Sequence, residues 1–309
     1  MIKRRNIKLA KYSNYKIGGP ASYFLETKTI GELREAIKFA RDSKMPMLIL
    51  GGGTNLLISD SGFRGVVIHP VLKSIKVIKK NLIEVGSGAL VKNFLRFTVL
   101  KKLSGIEWAG GLPGMVGGAV RGNAGCFGGE TKDSILSVKS VRVSDGKVIV
   151  RNNKQCAFGY RDSVFKKNDG KEIIVSAIFK LTPGVAKDIK KSIQEKIDYR
   201  SRRHPMERPS IGSIFKNIPL AGLTKRQQTL YRKVVKNDPF PVVPSAYVIS
   251  RAGVVGKRAG GAMISPKHPN FIVNMGGAKA KDVEKLIALV KKEVWRKFKI
   301  RIEEEIIRI

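Results

Sequence analysis

Residues 105–129 read GIEWAGGLPGMVGGAVRGNAGCFGG, ten glycines in twenty-five positions, with no repeat of the kind a flexible linker shows. Trp108, Leu112, Met115, Val116 and Phe127 are interleaved with the glycines, which predicts an ordered, packed loop rather than a spacer. Without a Cβ, glycine lets backbone N–H groups approach phosphate oxygens closely. A second run, Gly51-Gly52-Gly53-Thr54-Asn55, directly follows the strand-like MLIL at 47–50 and has the same capacity. Together the two runs predict the floor of a site for a phosphate-bearing cofactor.

Two familiar phosphate motifs are absent. After Gly51 and Gly53, Leu56 stands where a dinucleotide fingerprint needs its third glycine, and no Gly-Lys pair is followed by Ser or Thr. The runs therefore belong neither to a Rossmann fingerprint nor to a P-loop.

Outward from the glycines, the periodicities predict a mixed α and β chain. Residues 29–43 open with Thr29 and Glu32, a capping pair, and carry Leu33, Ala36, Ile37 and Ala40 on one helical face. With MLIL and the GVVI of 65–68 this forms a β-α-β opening to an α/β domain. Ser74 to Lys79 and Leu82 to Val85 read as strands, followed by a helix over about 90–103. Val138 to Val143 and Val148 to Arg151 flank an Asp145-Gly146 turn, and Ile173 to Leu181 reads as a further strand. Pro183-Gly184 marks a boundary. Beyond it a basic helix carries Ile189, Ile193 and Ile197, and a last helix spans about 281–298.

Composition narrows the function. The 42% hydrophobic and 27% charged residues are ordinary for a globular enzyme, and no apolar stretch approaches a membrane span. The basic N-terminus lacks the apolar core of a signal peptide, so a cytoplasmic protein is expected. Two cysteines and three scattered histidines make no disulfide framework and no metal-ligand spacing. The 60 basic and 24 acidic residues leave a net charge of +36, which raises nucleic-acid binding as a possibility. The lysines are spread over every segment, however, and no aromatic platform accompanies them. A general lysine bias is the better explanation, and neither a nucleic-acid nor a membrane partner is expected.

Six blocks carry a resemblance. In order they are GGGTNLLISDSGFRGVVI (51–68), AGGLPGMVGGAVRGNAGCFGGE (109–130), CAFGYRDSVFK (156–166), PSIGSIFKN (209–217), GGAMISPKHPNFIVN (260–274) and IEEEI (302–306). They resemble the UDP-N-acetylenolpyruvoylglucosamine reductases of peptidoglycan synthesis, from about Asn14 to the last residue, with an interruption at about 218–245. The resemblance implies an α+β fold: a two-lobed FAD-binding domain of the vanillyl-alcohol-oxidase (PCMH) type, lobes 1–72 and 73–184, and a C-terminal substrate lobe, 185–309. It implies the use of FAD and NADPH to reduce the enolpyruvyl ether of UDP-N-acetylglucosamine to UDP-N-acetylmuramate; a monomer is expected. The alternatives are another flavin oxidoreductase of the same fold and, further off, a basic nucleic-acid-binding module.

Roles follow block by block. The resemblance assigns the cofactor to Gly51, Gly52, Gly53, Thr54, Asn55 and Leu56, and to Ala109, Gly110, Pro113, Gly114, Gly117, Gly118, Asn123, Ala124 and Gly125. Reduction of an enol ether conjugated with a carboxylate needs a cation, a proton donor and a group that tunes both. By block position these are Arg161, Ser213 and Glu305. Arg202 or Arg203, Lys216, Asn217 and His268 are expected at the UDP diphosphate. The family usually has an arginine two places after the glutamate, where this chain has Ile307, with Arg308 one place further. The short spacing from Lys166 to Arg202 leaves no room for the tyrosine-bearing loop of some members. Cys126 is assigned no redox role.

Overall fold

A computed structural model describes all 309 residues. Contacts group them into two compact units. The first comprises Met1–Ile7, Pro20–Gly52 and Phe63–Tyr199; the second comprises Lys8–Gly19, Gly53–Gly62 and Arg200–Ile309.

The first unit holds two sheets. One has the strand order Ile2–Lys8, Pro20–Thr27, Phe63–Pro70, Met47–Ile49, with the last three parallel. Helix Ile30–Asp42 crosses between them, started where predicted: the Thr29 side chain accepts the Glu32 N–H at 3.1 Å and Glu32 accepts the Lys28 N–H at 2.6 Å. Leu33, Ala36, Ile37 and Ala40 face Leu25, Val66 and Ile68 in one core. The strand Pro20–Thr27 had no sequence signal of its own beyond this crossover.

The second sheet is antiparallel, in the order Val148–Asn152, Ile135–Arg142, Glu172–Lys180, Leu82–Gly86, Ile75–Lys79. Its central strand is apolar on both faces for a reason. Ile173 and Val175 join the core of the first sheet, while Ile174, on the opposite face, joins the core of helix Val91–Lys101 with Phe94 and Leu95. Past a register shift in the pairing with Ile135–Arg142, Ala177 and Phe179 join that same helix core. Ile189 and Ile193 of helix Ala186–Arg203 close that second core.

In the second unit, helix Ala280–Phe298 buries Val283, Leu286, Ile287, Val290 and Val294 against a small sheet, Arg258–Ala259, Ala262–Ile264 and Ile272–Asn274. Asp60 accepts the Ala280 and Lys281 N–H groups at 2.8 and 3.3 Å, which satisfies the helix's first donors. The interrupted stretch at 218–245 is built into this unit rather than appended to it. Ile218–Pro219 and Lys236–Asn237 flank Pro241–Val243 in a three-stranded sheet, and Leu223, Tyr231 and Val243 lie in the core. The C-terminal strand Ile307–Arg308 runs parallel to Leu56–Leu57, straight after the triple glycine. No helix is long and apolar enough to cross a membrane.

Candidate functional site

In the first unit, strand Met47–Ile49 delivers Gly51 and Gly52 at its end. A Cβ on Gly52 would lie 2.9 Å from the Gly114 Cα, so the two glycine runs meet here backbone to backbone. Gly51 and the exposed Gly118 have no heavy atom within 4 Å of where a Cβ would be. The longer run is pinned from below: Val91 N–H donates to Gly114 O at 3.1 Å, Val116 N–H to Ala89 O at 2.9 Å and Gly117 N–H to Ser87 O at 2.9 Å. The Ser87 hydroxyl, beside Gly117, is buried and has no hydrogen-bond partner within the protein. An open glycine floor with an unpartnered hydroxyl next to it fits a diphosphate, which accepts hydrogen bonds from both. Ser87 was missed in the sequence; its signal was the Gly86-Ser87-Gly88 spacing at the end of a strand.

The rest of the run is structural as well as permissive. Gly110 sits where a Cβ would meet Ile193 O at 2.6 Å, and Ala109 and Asn123 are buried while Pro113 is exposed. Asn123 spends its side-chain amide on the protein: it donates to Glu130 at 3.2 Å and Gly159 O at 2.9 Å and accepts the Lys132 N–H at 3.0 Å. The Ala124 N–H donates to Ala119 O and its carbonyl accepts the Thr131 N–H.

Arg161 occupies the tip of a two-residue turn closed by Gly159 and Asp162, whose backbones bond each other at 3.0 and 3.2 Å. Its φ of +55° is costly for an arginine, by about 1–2 kcal/mol. Three hydrogen bonds tie this turn to the glycine run: Asn123 Nδ2 to Gly159 O, Arg161 Nη2 to Gly125 O at 2.7 Å, and Ser163 Oγ to Arg121 O at 2.6 Å. Asp162 pairs with Lys167 at 3.3 Å. The sequence-predicted cation and the predicted cofactor loop are thus one connected substructure.

In the second unit, Gly53 has a φ of +60° and presses on Tyr12 O, where a Cβ would come within 2.1 Å. Thr54, Asn55 and Leu56 are half-buried. Asn55 Nδ2 donates to Glu305 O at 3.1 Å and Asn55 O accepts the Ile307 N–H at 3.0 Å, so this segment carries the C-terminal strand. The same tail pairs on its other side with the serine block. Phe215 and Glu304 form an antiparallel bridge, Lys216 N–H donates to Glu303 O at 2.9 Å, and Glu305 N–H donates to Ile214 O at 2.8 Å. Glu305 therefore lies opposite the residue that follows Ser213.

The neighbouring glutamates are committed elsewhere. Glu303 pairs with Lys216 at 2.6 Å, and Glu304 takes a two-pronged contact from Arg308, at 2.9 and 2.8 Å, together with Lys291. Arg308 is thereby occupied with Glu304.

Of the expected substrate residues, Asn217 accepts the Ser245 N–H at 3.2 Å, and Arg202 and Arg203 are exposed at the end of their helix. His268 packs edge-on to His204, ring centroids 5.1 Å apart, and to Phe271 at 4.8 Å. Burial lowers its pKa to about 4, and its Nδ1 is buried without a partner.

An open glycine floor with an unpartnered hydroxyl fits a diphosphate-bearing cofactor, and the chain matches an FAD binding domain over residues 21–151, which makes the class a flavin-binding one. Over residues 204–309 it matches the C-terminal domain of UDP-N-acetylenolpyruvoylglucosamine reductase. The chain is 37% identical to the reductase of that name from Halalkalibacterium halodurans, over 98% of this chain and 93% of the relative. It is 35% identical to the one from Carboxydothermus hydrogenoformans, over 97% and 92%. The crystal structure of the Thermus caldophilus reductase superposes with a TM-score of 0.78 at 29% identity, covering 99% of both chains. This chain belongs to the UDP-N-acetylenolpyruvoylglucosamine reductase family, and it is a flavin-dependent NADPH oxidoreductase.

Proposed function

We propose that Arg161, Ser213 and Glu305 are the residues through which this chain performs its family's reaction, the NADPH-driven reduction of UDP-N-acetylglucosamine enolpyruvate to UDP-N-acetylmuramate. FAD, when bound, would supply the hydride-transfer chemistry between NADPH and the substrate double bond.

The protein's part is to hold and polarise. Arg161 binds the enolpyruvyl carboxylate, where negative charge grows as hydride arrives; a guanidinium stays charged throughout and can grip both oxygens. Its anchorage to Gly125 O, in the cofactor loop, supports that role. Ser213 gives a proton to the developing carbanion, which is basic enough to take one from a hydroxyl. Glu305, fixed by main-chain bonds to Asn55 and Ile214, stabilises the enol form with Arg161. Gly51, Gly52, Gly114, Gly117 and Gly118 with the Ser87 hydroxyl would hold the FAD diphosphate. Gly53, Thr54, Asn55 and Leu56 are assigned to the cofactor as well, and Ala109, Gly110, Pro113, Asn123, Ala124 and Gly125 complete the loop. Lys216, Asn217, His268 and Arg202 or Arg203 serve the UDP moiety. Functionally the chain divides into lobes 1–72, 73–184 and 185–309, and it works as a cytoplasmic monomer on small molecules, without a metal.

The observation that carries the residue assignment is the pairing of the Ser213 segment with the Glu305 segment in one ladder. Ser213→Ala is expected to leave NADPH reduction of the flavin near normal and to slow reoxidation by substrate by roughly 10²-fold or more. Equal loss in both half-reactions, measured by stopped-flow absorbance, would make Ser213 a structural residue.

A further inference from the structure

The segment that carries Ser213 is held along both edges, and one edge is a single residue. On the tail side lie the bonds from Glu305 N–H to Ile214 O and from Lys216 N–H to Glu303 O. On the other side stands Asn270, which is only 3% exposed. Its Oδ1 accepts the Phe215 N–H at 2.9 Å and its Nδ2 donates to Phe215 O at 2.8 Å. Its own carbonyl accepts the Ile214 N–H at 2.8 Å. An amide that both accepts from and donates to one residue's main chain does what a neighbouring strand would do.

Asn270 thus makes three hydrogen bonds to the two residues that follow Ser213. The residue before it, Gly212, has a φ of +83° and nothing within 4 Å of where a Cβ would be, so it brings no steric restraint from that direction. Further back the chain is tied again, by Asn14 Nδ2 to Ser210 O at 2.6 Å and by the buried Ile211, so Asn270 supplies the restraint on the C-terminal side of Ser213.

We infer that Asn270 is a positioning residue for Ser213, fixing the segment from which the hydroxyl delivers its proton; this rests on reading Ser213 as the proton donor. Alanine has neither group, and an ionised aspartate keeps the acceptor but loses the donor. Loss of the clamp leaves Ser213 chemically intact but misplaced, and a misplacement of about 1 Å can cost on the order of 10² in rate.

The test is a double-mutant cycle on the flavin-loaded enzyme, following the two half-reactions separately. With Ser213 present, Asn270→Ala is expected to slow substrate-driven reoxidation by about 10–100-fold while NADPH reduction stays within about twofold. In the Ser213→Ala background the same change is expected to add less than about threefold, because the residue acts through Ser213. If the full effect persists in that background, or both half-reactions fall together, Asn270 is merely structural and the inference is overturned. A normal rate in Asn270→Ala beside a slow Ser213→Ala overturns the positioning alone, whereas a normal rate in Ser213→Ala overturns the underlying reading. Should Asn270→Ala fold poorly, judged by flavin content and melting, Asn270→Asp has the same shape and is carried through the same cycle with the same expectation.

Discussion

Glu303, Glu304 and Glu305 are one residue type three times over, and their partners distinguish them. Two sit in ion pairs with Lys216, Arg308 and Lys291, and the third has its main chain fixed between Asn55 and Ile214. The same dependence on surroundings governs His204 and His268. Burial lowers both pKa values to about 4, helped at His204 by the charges of His268, Arg200 and Lys267 and at His268 by Lys236. The unfolded value is about 6.5, so between those limits the unfolded chain binds more protons than the folded one. Their contribution to stability is whole above about pH 6.5 and is lost as pH falls toward 4. The melting temperature is expected to drop from pH 6.5 to about 4.5, and His204→Phe, which keeps a ring beside His268 and Phe271, is expected to drop less. Equal slopes for the two proteins would remove His204 from this account.

At the scale of elements, the site rests on two backbone runs that touch. Gly52→Ala would drive a Cβ to within 2.9 Å of the Gly114 Cα, and because both are main chain neither can yield cheaply. The variant is expected to fold, since Gly52 lies at the edge of its unit, and to lose FAD affinity by about tenfold or more, equivalent to about 1.4 kcal/mol. Unchanged flavin titration would show that the approach of the two runs has no part in holding the cofactor. The strands and helices around these runs were legible where a periodicity or cap was strong, as at Thr29, Leu33 and Ala36 or in the helix ending at Phe298. Long-range events left no local signal: the parallel pairing of Ile307–Arg308 with Leu56–Leu57 and the Asn270 clamp on Phe215 both join residues far apart in the chain. The stretch 218–245 looked like an interruption because its block pattern lapses there, yet Tyr231 and Val243 are core residues.

For the whole molecule, the family and its flavin chemistry account for the function without appeal to the net charge of +36. Six blocks in order were enough to read that family from the sequence, because they run from residue 51 to residue 306 and so span most of the chain. Their spatial grouping was not readable in advance, because it depends on partners such as Gly125 O for Arg161 and Asn55 for Glu305. The most direct test uses the purified, flavin-loaded protein, reduced anaerobically with NADPH and then mixed with the enolpyruvyl UDP-sugar. The flavin absorbance is expected to return as UDP-N-acetylmuramate forms; a flavin that stays reduced after that addition would contradict the substrate assignment.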